Sequence, residues 1–253
     1  MNILSKLILV IQVFVNFPTA IFDRLGLIHG SVLYKTRNNW KFFCRAGTED
    51  MAEVAVVASG SEYLLKKIFL PNNPIIVDIG GHIGTFSILM SKTYNDNCKI
   101  FVFEPDRANY NLLVKNIAIN KIQSVVSENI AIANYAGRGY LKTENMNTDA
   151  YYLDPNAKMK PNVKTNTLHD SLRKYRVTKV DLLKMDIEGG EYGIFEDNKS
   201  FNFICRYVHY IFLEYHNIDS YYNEDLIRKI VKGKFNIIQT NKSVLTLVNV
   251  NWK

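Results

Sequence analysis

An acidic side chain and a set of glycines follow a short β-branched segment in the first third of the chain. The segment reads PIIVDIGGHIG over residues 74–84, and its chemistry-bearing residues are Asp78, Gly80, Gly81 and Gly84. The run Ile75–Val77 is typical of a buried parallel strand. Glycines after a strand allow a tight turn and the close approach of a ligand, and a following helix offers unpaired N–H groups. We therefore predict a nucleotide-like ligand over the end of this strand.

The glycine spacing narrows the class of ligand. A dinucleotide fingerprint has the pattern G-x-G-x-x-G, whereas Gly80 and Gly84 are four residues apart and Gly81 adjoins Gly80. The pattern Asp-x-Gly-x-x-x-Gly, which begins at Asp78, resembles motif I of class I S-adenosylmethionine (SAM) methyltransferases. In that class the glycine loop passes beneath the amino-acid end of the cofactor. A buried strand that merely ends in a turn is the alternative interpretation.

A second acid follows the next predicted strand. The run KIFVF at 99–103 is followed by Glu104, which comes 20 residues after Gly84. A carboxylate accepts two hydrogen bonds, and the ribose diol of an adenosyl group supplies two donors, so we predict that Glu104 binds ribose. A third strand over 125–132 places Asn129 about where the adenine ring should lie, and we predict a contact with the adenine amine.

Charged and polar residues also follow the fourth and fifth predicted strands. Lys184, Asp186 and Glu188 alternate at the end of the run VDLLKM, so they would share one side if the strand continued that far. Acids of this density are unfavourable to bury unless they are paired or bound to something. His216 follows the run VHYIFL, and the ordinary pKa of histidine suits a general base. The alternatives are a salt-bridged helix start and a structural histidine.

Composition sets outer limits on the function. The 253 residues are 47% hydrophobic and 22% charged, values typical of a globular protein, and they suit one α/β domain with an N-terminal extension. The net charge of +7 favours anionic partners, but no basic run is interleaved with aromatic residues, so nucleic acid is not expected. Three widely spaced cysteines predict neither a disulfide framework nor a zinc site.

The first 70 residues are predicted to form an extension that caps the ligand cleft. The apolar run Leu7–Val15 is too short to span a bilayer, which takes about 20 residues. We expect residues 1–28 to form an amphipathic helix that packs on the domain, on a partner or on a membrane surface, with an export signal as the alternative. Two strands over 31–45 and a helix over 51–70 complete this extension.

Two further features belong to the predicted catalytic domain, residues 71–253. Residues 137–162 are irregular, and we interpret them as an insertion on the substrate side, whose amides and aromatics suit sugar recognition. A solvated loop is the alternative. The apolar runs 235–240 and 243–250, joined at Asn241-Lys242, predict an antiparallel hairpin at the end of the sheet.

Six separated motifs occur in an order that resembles one family. They are VDIGGHIG at 77–84, FEP at 103–105, NIAIN at 116–120, NTLHDSL at 166–172, DLLKMDIEGGE at 181–191 and LEYH at 213–216. Together they resemble the FkbM family of SAM-dependent methyltransferases over about residues 45–216. The chain departs from the common family pattern at Gly81 and His82, where alanine and asparagine are usual, and at His169, where aspartate is usual.

The resemblance implies a Rossmann-like class I methyltransferase, an α/β fold with a mostly parallel seven-stranded sheet and a terminal antiparallel hairpin. It implies SAM as cofactor and O-methylation of a hydroxyl on a sugar, a glycan or another small molecule, in the cytoplasm, where SAM is made. The cofactor would be bound by Asp78, the three glycines, Glu104 and Asn129. The acceptor would meet Lys184, Asp186, Glu188 and His216.

Several alternatives remain open at this point. A divalent ion held by Asp186 and Glu188 would lower the pKa of the acceptor hydroxyl, although the sequence gives no complete ligand set and no metal ligand is assigned. A nicotinamide-dependent oxidoreductase would also place an acid after the second strand. A nucleic-acid methyltransferase would suit the positive charge, and a partner-binding protein with a relict fold is a non-enzymatic alternative.

Overall fold

The computed structural model describes residues 3–60, 63, 65–143, 152–154, 158–216, 224–241 and 244–252. The N-terminal elements are α1 (Ile3–Val13), α2 (Phe17–Arg24), β1 (Ser31–Lys35), β2 (Lys41–Arg45), α3 (Asp50–Ala58) and one 3₁₀ turn (Leu65–Lys67). The rest are β3 (Ile75–Ile79), α4 (Thr85–Thr93), β4 (Lys99–Phe103), α5 (Arg107–Ile119), β5 (Val125–Glu128), β6 (Ala131–Ile132), β7 (Gly137–Gly139), β8 (Leu141–Lys142), β9 (Tyr152–Leu153), β10 (Val163–Asn166), α6 (Leu168–Lys174), β11 (Val180–Met185), α7 (Glu191–Glu196), α8 (Asn198–Tyr207), β12 (Val208–Glu214), α9 (Glu224–Val231), β13 (Phe235–Asn241) and β14 (Val244–Asn249).

A seven-stranded sheet forms the centre, in the order β13-β14-β12-β11-β3-β4-β5. β14 runs antiparallel to both of its neighbours, and the pairings from β12 to β5 are parallel. The predicted mostly parallel sheet with a terminal antiparallel hairpin is therefore confirmed. The hairpin's turn residues, Lys242 and Ser243, lie outside the described residues.

The order of strands creates a crevice between β3 and β11. From β3 the chain builds outward through β4 and β5, and it then returns to add β11 and β12 on the other side. In open α/β sheets, ligands bind at such a reversal, outside the carboxyl ends of the strands. The residues that follow β3, β4, β11 and β12 consequently meet at one edge.

The region after β4 differs from the prediction in one respect. The expected single strand over 125–132 is two strands, because β5 joins the main sheet while β6 pairs with β10 in a smaller sheet that also includes β7. The break falls at Asn129, whose side-chain amide donates to the carbonyl groups of Glu104 and Pro105 at 2.8 Å each. These bonds tie the residues after β5 to the end of β4.

The irregular region is described only in part. β7, β8 and β9 lie within it, and β8 pairs with β9 as an antiparallel ribbon. Most of the amide and aromatic residues that suggested sugar recognition lie outside the described residues: Asn145, Asn147, Tyr151 and Asn156. The substrate-side role of residues 137–162 stays a prediction.

The described residues 3–28 contain two helices where the sequence predicted one over 1–28. Pro18 lies in the first turn of α2, a position that needs no backbone N–H donor, so a new helix starts after α1. The predicted strands over 31–45 are the antiparallel pair β1 and β2, and the predicted helix over 51–70 ends at Ala58. Within the described part of the chain, no helix is long and apolar enough to cross a membrane.

The N-terminal elements share a hydrophobic core with the sheet domain. One buried cluster contains Phe14 after α1, Tyr34 of β1 and Phe42 of β2 together with Ile83 and Ile88 near the start of α4. The proposed boundary at residue 70 therefore does not separate two independent cores, although the division itself stays a prediction. α7 and α8, which the sequence analysis left unassigned, are separated at Asp197, whose carboxylate caps α8 through the N–H of Ser200 at 2.9 Å.

Asn116 on α5 joins three parts of this arrangement. Its amide oxygen accepts from the N–H of Phe43 at 2.7 Å, and its amide nitrogen donates to the carbonyls of Phe43 at 3.1 Å and Ile83 at 2.9 Å. The side chain is fully buried. Asn116 thus holds β2 and the loop before α4 against one helix.

We predict that Asn116→Ala lowers the free energy of unfolding by about 2 kcal/mol or more, because it leaves buried backbone groups without partners. Urea denaturation measures the change. Asn111→Ala, at an exposed position of the same helix, is the matched control and should have an effect below about 0.5 kcal/mol. Equal effects of the two substitutions would contradict the role given to Asn116.

Candidate functional site

A cavity of about 840 Å³ lies at the carboxyl ends of β3, β4, β11 and β12. Its volume is in the range of small-molecule sites, which is roughly 300–1,000 Å³. One wall is polar and carries Gly80, His82, Glu104, Asn109, Lys184, Asp186, Glu188 and Glu214. The crevice expected from the strand order is therefore present and lined with charged groups.

The opposite wall is apolar and comes mainly from the N-terminal helices. It carries Leu7, Leu9 and Val10 of α1, Ile21 of α2 with Leu25, and Met51, Ala55 and Val56 of α3. Leu141 of β8 and Leu153 of β9 complete it. The extension encloses one side of the cavity, which agrees with the capping position expected from the sequence.

Two of the glycines after β3 lie where neighbouring atoms leave no space for a Cβ. Gly80 has a φ of +80°, and a Cβ there would lie 1.9 Å from the carbonyl oxygen of Asp186. A Cβ on Gly81 would lie 2.3 Å from the side chain of Val102 on β4. Of the three predicted glycines, Gly80 lines the cavity, while Gly81 and Gly84 pack towards Leu113 of α5.

Asp78 and Lys184 form a buried pair beneath this loop. The Lys184 ammonium donates to the carbonyl of Gly80 at 2.7 Å and lies 3.6 Å from Asp78 and 3.3 Å from Asp186. Asp78 also accepts from the hydroxyl of Ser87 on α4 at 2.6 Å. Its carboxylate is fully buried and is not among the described cavity residues. Asp78 therefore acts on the cavity indirectly, by holding Lys184 against the glycine loop.

Glu104 stands on the cavity wall at the end of β4. One carboxylate oxygen accepts from the N–H of His82 at 2.8 Å, and the other accepts from the N–H of Asp106 at 2.9 Å. Burial raises the pKa of Glu104 to about 7. The second oxygen also accepts a long hydrogen bond from the side-chain amide of Asn109 at 3.4 Å, so the first oxygen is the one with an unused acceptor position.

Asn129 is not among the described residues that line the cavity. Its amide nitrogen is directed at the two carbonyls already described, and its amide oxygen accepts from Arg107 at 3.3 Å. The adenine contact predicted for Asn129 stays a prediction. In this structure the side chain fixes the residues after Glu104.

His82 connects the glycine loop to α3 through a cluster of charges. Its imidazole contacts the carboxylates of Glu53 and, at 3.3 Å, of Asp50. Arg45 forms a bidentate pair with Asp50 at 2.7 and 2.8 Å, and Thr85 donates to Glu53. Burial alone would lower the pKa of His82, but the Glu53 charge and the hydrogen bond to Asp50 raise it to about 10. The imidazolium is therefore the stable form at neutral pH.

A second cluster surrounds the predicted catalytic residues. The strand ends at Met185, and Glu188 has a φ of +52°, so a turn rather than continued strand alternation brings Asp186 and Glu188 to the cavity. His216 lies with Nε2 3.4 Å from Glu188 and Nδ1 3.2 Å from Glu191. Burial raises the pKa of Glu188 to about 7.

The state of His216 follows from its neighbours. Burial alone would lower its pKa, but the hydrogen bond to Glu191 and the nearby carboxylates raise it to about 9. Glu191 is fully buried and also accepts from the N–H of Ile187 at 3.0 Å. Ligand atoms of Asp186, Glu188 and His216 lie within 4.8 Å of one another, so the side chains suit a divalent cation in composition and spacing.

Comparisons with known proteins agree with this geometry. A family model described as the methyltransferase FkbM domain matches residues 78–235, which include the glycine loop, Glu104 and the acidic cluster. The chain belongs to the FkbM methyltransferase family. The nicotinamide-dependent alternative is thereby set aside.

Individual relatives of this FkbM-family chain are distant. Methyltransferase sdnD of Sordaria araneosa is 29% identical over 174 residues, which are 52% of this chain and 66% of the relative. Methyltransferase 1 of Beauveria bassiana is 26% identical over 163 residues, 53% of this chain and 65% of the relative. The chain thus spans just under two thirds of the length of these curated relatives.

A solved structure supports the fold. The crystal structure of methyltransferase FkbM from Methylobacillus flagellatus KT aligns with a TM-score of 0.53 and 13% identity, over 78% of this chain and 53% of that one. This likeness concerns the fold of the FkbM domain alone.

Sequence reasoning missed the groups that support the site. Asp50 and Glu53 begin α3, where acids are ordinary, and Arg45 ends β2, so none stood out. Glu191 was part of the quoted acidic motif but had no role assigned to it. His82 was noted as a departure from the family pattern, and that departure was the available signal.

We predict that His82→Gln lowers the free energy of unfolding by about 3 kcal/mol near pH 6.5, because Glu53 loses a buried ionic partner. The folded pKa of about 10 exceeds the ordinary value of 6.5. The stabilisation is therefore complete below pH 6.5 and disappears as the pH rises through about 10.

Chemical denaturation between pH 6.5 and 10.5 measures this effect as the difference between wild type and variant. His29→Gln, at an exposed position, is the control and should change stability little at any pH. A difference between wild type and His82→Gln that does not shrink at high pH would contradict the charged state given to His82.

Proposed function

We propose that this protein transfers the methyl group of SAM to a hydroxyl group of a small-molecule or carbohydrate acceptor. The observation that carries the proposal is Glu104, a buried carboxylate on the cavity wall beside Gly80, one of whose oxygens accepts only the N–H of His82 among the described residues. One hydroxyl of a ribose diol would donate to this oxygen, and the other hydroxyl would replace the long bond from Asn109 at the second oxygen. Membership of the FkbM methyltransferase family supports SAM as the donor.

The placement of SAM follows from the polar wall. With ribose on Glu104, the amino-acid end would lie over Gly80, and the sulfonium would point towards Asp186 and Glu188. Negative charge there stabilises the bound cationic donor, because Coulomb attraction is strong where water is partly excluded. Asp78 and Lys184 act as positioning residues, since they fix the carbonyl of Gly80 and the carboxylate of Asp186 from below.

The transfer needs an aligned acceptor and a proton acceptor. The hydroxyl oxygen forms a bond to the methyl carbon as the carbon–sulfur bond breaks, leaving S-adenosylhomocysteine, and the hydroxyl proton must leave. We assign the proton to Glu188, which lines the cavity and has a pKa raised to about 7 by burial. The sequence analysis offered His216 as the base, but its raised pKa favours a role in orienting Glu188.

The spacing of Asp186, Glu188 and His216 also supports a second mechanism, in which they hold a divalent cation that lowers the pKa of the hydroxyl. The two mechanisms predict different effects of removing divalent cations. Methyl transfer that survives exhaustive chelation by EDTA favours Glu188 as the base, whereas loss that Mg²⁺ or Mn²⁺ restores favours the cation.

We predict that Glu104→Gln weakens SAM binding by about tenfold or more, because an amide accepts fewer and weaker hydrogen bonds than a carboxylate. Titration calorimetry with SAM, S-adenosylhomocysteine and NAD⁺ measures the affinities. Glu196→Gln, at an exposed position of α7, is the control. Unchanged SAM affinity in Glu104→Gln would remove the ribose assignment.

We further predict that Glu188→Gln lowers kcat by about a hundredfold while it changes SAM affinity less than threefold, as expected for a lost proton acceptor. The acceptor for this assay comes from a screen of nucleotide sugars, glycans and lipids with methyl-labelled SAM. A variant with normal kcat, or with a loss confined to SAM affinity, would contradict the assignment.

A further inference from the structure

Exposed apolar side chains are concentrated on the N-terminal helices and the residues that directly follow each of them. Fourteen large hydrophobic side chains are exposed among the described residues, and half of them lie between residues 7 and 27. We call this set the N-terminal apolar face, and its members are Leu7, Ile8, Ile11, Val15, Phe22, Leu25 and Leu27. Scattered exposed apolar residues are normal, but a concentrated group marks an interaction surface.

α1 is apolar on both of its sides. Leu9 and Val10 face the cavity, and Val13 is buried in the hydrophobic core, while Ile8 and Ile11 are exposed. Ile8 and Ile11 flank an outward side on which the exposed Gln12 is polar, and the described residues provide no cover for these two apolar side chains. With 11 residues, α1 is about 16 Å long, much shorter than a bilayer's hydrocarbon core. Such a helix suits a position along a membrane surface.

The N-terminal apolar face continues into the cavity. Leu7 and Leu25 line the cavity, yet 40% and 64% of their surfaces are exposed. The same side chains therefore belong both to the outer surface and to the cavity wall. An apolar molecule could pass from this face to the polar wall without leaving apolar surroundings, and its polar end would then reach Glu188.

The charges at the edge of this face have a positive excess, because the exposed Glu49 is offset by Arg24 at 3.8 Å and two further cations lie nearby. The guanidinium of Arg37 donates to the carbonyl of Ile11 at 3.0 Å, so its charge lies beside α1. Lys35 is exposed next to it, and its carbonyl accepts from the N–H of Val15 at 2.8 Å. The nearby Asp23 is buried and bonded to Tyr34. Cations around an apolar face favour the anionic headgroups of a lipid surface over a neutral protein partner.

We propose that the N-terminal apolar face binds an anionic lipid bilayer and that the methyl acceptor is an amphiphile that enters the cavity from that bilayer. The second half rests on the proposed methyl transfer, whereas the first half does not. The apolar wall would hold the acceptor's hydrocarbon portion, and its hydroxyl would lie at the acidic cluster.

Sedimentation with lipid vesicles tests the first half directly. Wild-type protein should bind vesicles of phosphatidylcholine with phosphatidylglycerol at least tenfold more tightly than vesicles of phosphatidylcholine alone, and added salt should weaken the binding. The double variant Phe22→Glu, Leu27→Glu should lose at least tenfold in affinity. Both residues are exposed, and neither is among the described cavity residues, so SAM affinity serves as the test of its folding.

Phe69→Glu is the matched control. Phe69 is 86% exposed, and its N–H is bonded to Tyr210 near the start of β12, at the sheet edge opposite the cavity. This variant should bind vesicles like wild type. Equal binding by wild type and the double variant, or no binding by wild type, would overturn the membrane proposal. The proposal would also be overturned if light scattering showed a wild-type dimer that the double variant cannot form, and wild type did not bind vesicles.

Transfer of labelled methyl groups to lipid tests the claim that the acceptor is an amphiphile from the bilayer. With methyl-labelled SAM and a total lipid extract in vesicles, label should enter the organic phase with wild type and fall at least tenfold with the double variant. Label transferred only to water-soluble acceptors would overturn the amphiphilic acceptor and leave methyl transfer intact. Normal vesicle binding without any transfer to any acceptor would count against the proposed function instead.

Discussion

The site depends on the ionic contact between His82 and the carboxylates of α3. The N-terminal helices and the sheet domain each supply one wall of the cavity, and His82 is the point at which they are joined by charge. The imidazole contacts Glu53 and Asp50, and the backbone N–H of the same residue donates to Glu104. One residue thus sets both the position of the capping helix and the orientation of the carboxylate proposed to bind ribose.

The backbone at His82 carries a strain that this contact offsets. Its φ of +45° lies in the left-handed region, which is unfavourable for a residue with a Cβ. The contacts that offset this strain are those of the imidazole with Glu53 and Asp50, and Arg45 in turn binds Asp50. All three partners precede residues 78–235, the range that matches the family model.

Charge is distributed across the cavity in a way that suits a cationic donor. Asp186, Glu188 and Glu214 lie on the wall, and the ammonium of Lys184 is shared among Asp186, Asp78 and the carbonyl of Gly80. The acids are therefore only partly neutralised by the protein itself. A sulfonium donor would supply positive charge on binding and lose it on methyl transfer, so the wall would hold the substrate form more strongly than the neutral product.

The sequence predicted the elements whose signals are local. β4, α5 and β11 have the expected bounds, because a β-branched run or a capped helix with apolar spacing is visible within a few residues. The class of fold also followed, since β14 completes the hairpin that dehydrogenase folds lack. Glu104 lies on the predicted edge for the same reason, as it directly follows a clear strand.

The contacts that shape the site were not visible in the sequence because they join distant residues. Glu53 is 29 residues before His82, and His216 is 25 residues after Glu191. Nothing in either segment alone indicates the pairing. The prediction that Lys184, Asp186 and Glu188 lie at one edge of the sheet agrees with the structure, but strand alternation is not the reason. The strand ends at Met185, and a turn brings the two acids to the cavity. Asn129 was expected at the ligand, but its amide is directed at backbone carbonyls.

The central claim is that Glu104 and the loop at Gly80 together hold an adenosyl group over the carboxyl edge of the sheet. A crystal structure with S-adenosylhomocysteine tests it most directly. The account predicts both ribose hydroxyls within hydrogen-bonding distance of the Glu104 carboxylate, the homocysteine end over Gly80 and the sulfur facing Asp186 and Glu188. An adenosyl group bound elsewhere, or a Glu104 carboxylate turned away from the ribose, would contradict it.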